Sequence, residues 1–241
     1  MRIAIEFVAI FGFIAVLGYF VPAGYFYYLY YVRDDESRQQ RRVQQRRPTA
    51  AGIRREIKLS LQSVLIFSIM ATVLFQLYKA GQTGIYWRFR EYPLVWLPVS
   101  FVLCLVIHDM YFYWTHRFMH LPRVFKYFHL GHHKSISPTP WAIYAFQPAE
   151  AFLQFSSIFL IIVFVPLHLL VLALFLWYDT LVNVAGHTGY EMVPKWASRS
   201  WFYKGFNTVT HHDTHHTNMK VNLGAFFNVW DRLMGTFQDD V

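Results

Sequence analysis

Residues 92–133 read YPLVWLPVSFVLCLVIHDMYFYWTHRFMHLPRVFKYFHLGHH. From Tyr92 to Thr115 the run is apolar, interrupted only by His108 and Asp109. About 20 such residues suffice for a helix to cross a bilayer. The run then delivers His116 and His120. Leu121-Pro122 breaks it, and Arg123 to Leu130 is expected to begin a second helix that presents His129, His132 and His133. Residues three or four apart share one face of a helix, with Cβ atoms about 5–6 Å apart. HRFMH and HLGHH therefore each aim two or three imidazoles at one point. A third cluster, HHDTHH, holds His211, His212, His215 and His216. Imidazole suits Zn, Cu, Fe and Ni. Three boxes offer more nitrogens than one ion can take, so two metals per chain is the natural count.

The rest of the chain reads as membrane. Of 241 residues, 55% are hydrophobic and only 15% charged, against about 25% charged in soluble domains. Aromatics reach 20%, as expected where Trp and Tyr belt the two interfaces. Four long apolar stretches stand out: Ile3 to Val32, Leu59 to Tyr78, Tyr92 to Thr115, and Ala151 to Tyr178 with Pro166 near its middle. The first is too long for a signal h-region and lacks a cleavage pattern, so it reads as retained. The expected fold is all-α: a transmembrane helical bundle with a cytosolic, histidine-rich helical cap. Residues 1–92 are expected to form the amino-terminal transmembrane part and residues 93–241 the histidine-bearing domain. The single cysteine, Cys104, allows no internal disulfide, and no CxxC exists.

The net charge of +8 is concentrated in one loop. Between Arg33 and Lys58 lie nine of the 22 basic residues. The positive-inside rule places that loop in the cytoplasm, which explains the charge better than a nucleic-acid partner does. The amino terminus and the Gly81–Glu91 loop then face the other side, and the third span returns His116 to the cytoplasm. For His211–His216 to meet the first two boxes, the apolar stretch between them must cross an even number of times. A hairpin at Pro166, with arms Ala151 to Val165 and Leu167 to Ala185, allows this.

On the third span, at about 100° per residue, Asp109, Tyr113, His116 and His120 lie on one stripe, and His108 falls about 100° away from Asp109. Asp109 is expected to accept the free ring N–H of a ligating histidine, the usual partner of a metal-bound imidazole, and Tyr113 shares its face. His187, in GHTG after the hairpin, is a further candidate ligand. His168 sits at the hairpin tip, away from the boxes. Only one of His211 and His212 can head an HxxHH pattern; His212 fits, and His211 is the spare.

The stretch HDMYFYWTHRFMHLPRVFKYFHLGHHKSISPTPWAIYAFQPAE, then GHTGYE, then HHDTHHTNMKVNLGAFFNVWDRLMGTF, resembles the fatty acid hydroxylase/sterol desaturase superfamily of membrane di-iron oxidases. The segment HHK-PTPW-AFQPAE looks most like the sterol desaturase branch. The resemblance covers about Pro93 to Phe237. It implies two iron ions, replaceable by zinc, which activate O2 to oxidise a C–H bond of a membrane lipid. It carries the ligand positions to His116, His120, His129, His132, His133, His212, His215 and His216, and a later single histidine to His187. In acyl hydroxylases an HxxxH stands near that histidine. Here the position four before it is Asn183, so Asn183, His108 or water is left to complete one ion's sphere.

No haem, flavin or iron–sulfur motif is present, so an external electron donor is required, a cytochrome b5-like or ferredoxin-like carrier. Arg117, Arg123, Lys126, Lys134, Lys195, Arg199 and Lys204 could dock an acidic carrier; positive-inside bias and lipid headgroups explain them equally. The expected location is a multi-pass membrane protein with its histidines facing the cytoplasm, in a bacterial inner membrane or the endoplasmic reticulum. The competing reading is a membrane metal-binding or transport protein. Transport needs ligands along a path through the bilayer, and the first two spans hold almost none.

Overall fold

The first helix, Arg2–Val32, is 31 residues long. It widens to π turns over Ile14–Phe20 and Tyr28–Val32. Pro22 lies within it and offers no N–H to the turn before, which interrupts the regular ladder there. The structure is a computed structural model and describes residues 1–33, 35–198, 200–201 and 203–239. A second long helix, Ala50–Lys79, starts where Thr49 Oγ1 accepts the Gly52 N–H at 3.1 Å. It runs back along the first, so that Lys79 Nζ meets Glu6 at 2.8 Å. The third is Trp96–Met119, and the stretch around Pro166 splits into Pro148–Phe164 and Leu169–Gly186. Four of these helices are long and apolar enough to cross a membrane; Pro148–Phe164 is shorter. Their outer faces carry exposed apolar side chains such as Val16, Ile69, Val102 and Leu174, a surface suited to lipid rather than water.

The only strands among the described residues are two short ones that locate the hairpin tip. Ile85–Tyr86 pairs in parallel with Leu167–His168. Gly84 makes this approach possible: a Cβ there would lie 2.4 Å from the Val165 carbonyl oxygen. The tip thus meets the loop between the second and third spans, at the end opposite the boxes. The two hairpin arms bring the chain back to the end of the bundle that holds the boxes, as their meeting requires. Cys104, Ile158, Ile161, Leu167, Phe175 and Phe226 pack as the core between the third span and the hairpin.

At the other end the basic loop folds over the histidine segments. The N–H groups of Val43 and Gln44 donate to Gly189 O at 2.9 and 3.4 Å. The Gln44 amide donates to Pro138 O at 2.7 Å, and Tyr31 donates to Thr188 O at 2.9 Å. Gly189 adopts φ +73°, and a Cβ there would strike the Gln44 side chain at 2.3 Å. One glutamine therefore straps the segment after the second box to the turn that carries His187.

Single cysteines introduced in a Cys104→Ser background test the arrangement. Labels at Ser37→Cys, Ser137→Cys and Thr217→Cys should react from one side of the membrane, and at Gln82→Cys from the other. Positions 137 and 217 reacting from opposite faces would contradict the hairpin.

Candidate metal centre

Nine histidines stand in two groups at one end of the bundle. His116, His120, His129, His133 and His215 form one, and His132, His187, His212 and His216 the other, each with its donor atoms within 4.8 Å of one another. The groups abut: the His133 ring lies 5.0 Å from that of His216, and His129 lies 5.2 Å from His132. Local structure sorts the residues between them. His116 and His120 project from the end of the third span into the five-nitrogen group. In Val209–Thr217, His212 and His216 are four apart and share the four-nitrogen group, while His215 turns to the other. His211 joins neither; it completes the N-terminal cap of that helix with Thr208.

The second box departs from the expected continuous helix. Pro122–Phe128 ends before it, His129 takes φ −127°, and a single turn Leu130–His133 follows. The cause is Gln147, whose Oε1 accepts the Gly131 N–H at 2.8 Å and whose side chain fills the space a Cβ at 131 would need. The kink sends His129 and His133 to one group and His132 to the other, so one box bridges both.

The nitrogens meet at metal-ligand spacing. Nε2 atoms of His116 and His129 are 2.8 Å apart, of His116 and His120 3.1 Å, and of His133 and His215 3.1 Å. In the second group His187–His212 is 3.2 Å and His212–His216 3.1 Å. Ligands about 2.1 Å from an ion lie roughly 3.0 Å apart at right angles and roughly 3.4 Å apart in a tetrahedron. The close spacings, 2.8–3.2 Å, are of this order, and five nitrogens exceed a tetrahedral set. Several rings have their other nitrogen fixed. Nδ1 of His116 donates to Leu223 O at 2.7 Å, of His215 to Val221 O at 2.8 Å, and of His187 to Asn183 O at 2.7 Å. His129 Nδ1 donates to Glu150 Oε1 at 2.5 Å. Each bond leaves Nε2 with its lone pair toward the group, the tautomer that binds metal. The donor set therefore fits two ions.

Burial keeps these rings neutral. It pushes His120 down to about 3, with His215 adding repulsion, and His187 and His215 each to about 4, from the usual 6.5. Below 6.5 the unfolded chain takes protons that the folded rings refuse, so it binds more protons and stability falls with falling pH. Chelator-treated protein should therefore melt at progressively lower temperature as pH drops from about 6.5 to about 4. A melting temperature flat across that window would mean the rings are solvated.

Other candidates lie elsewhere. The Asp109 carboxylate takes no histidine N–H; its Oδ1 accepts from Phe226 N at 2.8 Å and Phe227 N at 3.1 Å. Tyr113 bonds Thr236 Oγ1 at 3.0 Å and accepts from Arg117, away from the donor nitrogens. Both hold the 221–236 segment, whose Val221 and Leu223 carbonyls orient His215 and His116. Asp231 completes that support, its two oxygens each accepting a backbone N–H at 2.8 Å, from Leu223 and Gly224. The side chain of Asn183 turns back to Asp179 rather than to the ions. His108 bonds Ser157 and faces Asp179. Neither is in a donor group. His168 is at the far tip, where Nε2 meets Trp87 O at 2.9 Å. Glu150 went unassigned from sequence; it is fully buried at the start of Pro148–Phe164.

A cavity of about 500 Å³ runs from Tyr78 and Trp87 at the far end to Phe112, Phe146 and Asn183 at the metal end. Phe146 touches His132 and Phe112 touches His116, with ring centroids 5.5 and 5.1 Å apart. A smaller cavity, about 220 Å³, reaches His187 and His212 from the cap, and Phe112 and Asn183 border both.

Membrane-length helices end in two adjoining histidine groups, each of which could hold a metal ion, with an apolar cavity behind them; this is the arrangement of a multi-pass membrane protein with a di-metal type of site. The chain belongs to the fatty acid hydroxylase family, whose profile matches residues 101–236. Similar curated proteins act on sterols by name. A Delta(7)-sterol 5(6)-desaturase of Aspergillus fumigatus is 31% identical over 209 residues, covering 76% of this chain and 62% of that protein. Lathosterol oxidase of Homo sapiens is 35% identical over 193 residues, covering 78% and 62%. A Delta(7)-sterol 5(6)-desaturase of Schizosaccharomyces pombe is 33% identical over 187 residues, covering 76% and 58%. The chain thus spans about three-fifths of the length of these relatives. No solved structure matches.

Proposed function

We propose that the chain is an O2-dependent oxidoreductase that hydroxylates or desaturates a membrane lipid of sterol-like or other isoprenoid or acyl type. One observation carries this reading: two histidine groups lie just beyond Phe112 and Phe146, at one end of an apolar cavity of about 500 Å³ among the spans. Two iron ions held there would supply O2 activation and the power to break an unactivated C–H bond. The five-nitrogen group exceeds the four ligands usual for zinc. The cavity lining is mostly apolar, which disfavours water and would protect a strong oxidant from wasteful reaction. Phe112 and Phe146 lie between cavity and histidines and set how close a carbon can come. The relatives named for sterol oxidation support the class. Transport is the weaker reading, because the described residues hold no third metal-capable group along the spans.

The nine basic residues of the loop support a cytoplasmic metal end. Arg123, Lys126, Lys134 and Lys204 are exposed and Arg117 half-buried, a basic surface for an acidic electron carrier. Arg199 and the side chain of Lys195 lie outside the described residues. Lipid mass spectrometry of cells with and without the protein tests the function. A lipid that gains an oxygen atom shows hydroxylation, and one that loses two hydrogens shows desaturation. An unchanged lipid profile under O2, from protein carrying its metal, would refute the reading.

A further inference from the structure

The cavity wall carries one ion-pair couple that the metal centre does not use. His108 on the third span and Asp179 on the fourth face each other, Nε2 to Oδ1, at 3.4 Å. The hydrogen bonds fix what this pair can do. Ser157 Oγ donates to Gln154 O at 2.8 Å, so its oxygen accepts from His108 Nδ1 at 3.0 Å. His108 Nε2 and Asp179 Oδ1 therefore hold one proton between them, since two bare acceptors would repel. Asn183 donates to the same Oδ1 at 3.0 Å. Both contacts fall on Oδ1, and Oδ2 receives no hydrogen bond among the described residues. The Asp179 side chain is 17% exposed and borders the cavity, so its open surface faces that space. An ionisable group at membrane depth is costly unless it has a task, and an acceptor left open toward an apolar cavity calls for a donor brought in from it.

The far end of the cavity makes no such demand. There the Trp87 indole N–H is already given to Tyr78, and Phe13, Leu74 and Phe75 supply hydrocarbon walls. The polarity is one-sided. Register then sets the depth. His108 precedes His116 by two helical turns, and Asp179 precedes His187 by two, so the couple forms a layer about 12 Å below those ligands along the helices. Phe112 and Asn183, one turn on from each, separate the two layers.

Building on the lipid-oxidase reading above, we infer that Asp179, held by His108 and Asn183, is a hydroxyl-reading site, and that the ligand is a lipid alcohol. The alcohol O–H donates to Asp179 Oδ2. The hydrocarbon body fills the apolar part of the cavity, and the oxidised C–H bond lies within about 12 Å of the hydroxyl. A lipid ether or ester offers no donor here, and neither does an ionised carboxylate or phosphate headgroup. The site therefore selects free alcohols and determines specificity without touching the metals.

The test is equilibrium binding of radiolabelled cholestanol, a saturated sterol alcohol, and of its methyl ether to the full chain in lipid nanodiscs. The wild-type protein should bind the alcohol about two- to tenfold tighter than the ether, the worth of one hydrogen bond. In Asp179→Leu, with metal content unchanged, the two should bind alike through loss of alcohol affinity. Equal wild-type affinities, or a preference that survives in Asp179→Leu, overturns the site. The wild-type comparison decides the matter even where the variant does not fold. Failure here differs from failure of the oxidase reading: a protein that prefers the alcohol but oxidises no lipid keeps the hydroxyl site, and one that oxidises lipid but ignores the hydroxyl loses it.

Discussion

Freshly purified His212→Ala protein should hold about one metal ion per chain where the wild type holds about two, and should form no detectable oxidised lipid. His212 belongs to the four-nitrogen group, where its Nε2 lies 3.2 Å from that of His187 and 3.1 Å from that of His216. Removing it leaves three imidazoles and breaks both close contacts. The other group shares no nitrogen with it, so its ion should remain. The chain should still insert, because insertion depends on the apolar spans. His168→Ala, at the opposite end of the bundle, should retain both ions and activity. Metal analysis by mass spectrometry on gently solubilised membranes reads the result directly. A His212→Ala protein that keeps two ions, or a wild type holding well under one, would refute the two-site arrangement.

Glu150→Gln should weaken metal binding or turnover by about 10–100-fold, the usual effect of removing a carboxylate that orients a ligating histidine. The Glu150 side chain is fully buried, and its bond to His129 Nδ1, at 2.5 Å, is the shortest of the ring-nitrogen contacts described above. Glutamine keeps the size and can still accept a hydrogen bond, but it is a weaker acceptor and cannot share the ring proton of His129. Titration of chelator-treated protein with Fe(II) separates affinity from turnover. Wild-type affinity and turnover in Glu150→Gln would make the carboxylate merely structural.

Spacing in the sequence picked out eight of the nine imidazoles that converge, because i, i+3 and i, i+4 relations are local; His187, alone in GHTG, came from the resemblance. It could not say which ion each would serve. That choice rests on the kink at His129, which depends on Gln147, a residue 18 positions away whose partner is a backbone N–H. The stripe through Asp109 and Tyr113 identified a shared face correctly as geometry. It misjudged what the face meets: the 221–236 segment comes between Asp109 and the histidines, and only tertiary packing reveals that. Glu150 was hidden for a simpler reason. An acid in the first turn of a helix after Pro148 reads as an ordinary dipole partner, and nothing local marks it as the base beneath His129. Pro166, by contrast, announced the hairpin plainly, since a proline inside a long apolar run must end or bend it.

The Gln44 strap also sets an order in time. Residue 44 leaves the ribosome long before Pro138 and Gly189 exist to receive it. The basic loop must wait, in place and unpaired, while two further spans and the hairpin are threaded through the bilayer. Only when the fourth span has come back to the loop's own side can the latch close and bring His187 to His212. Closure of the strap therefore follows the synthesis of both hairpin arms.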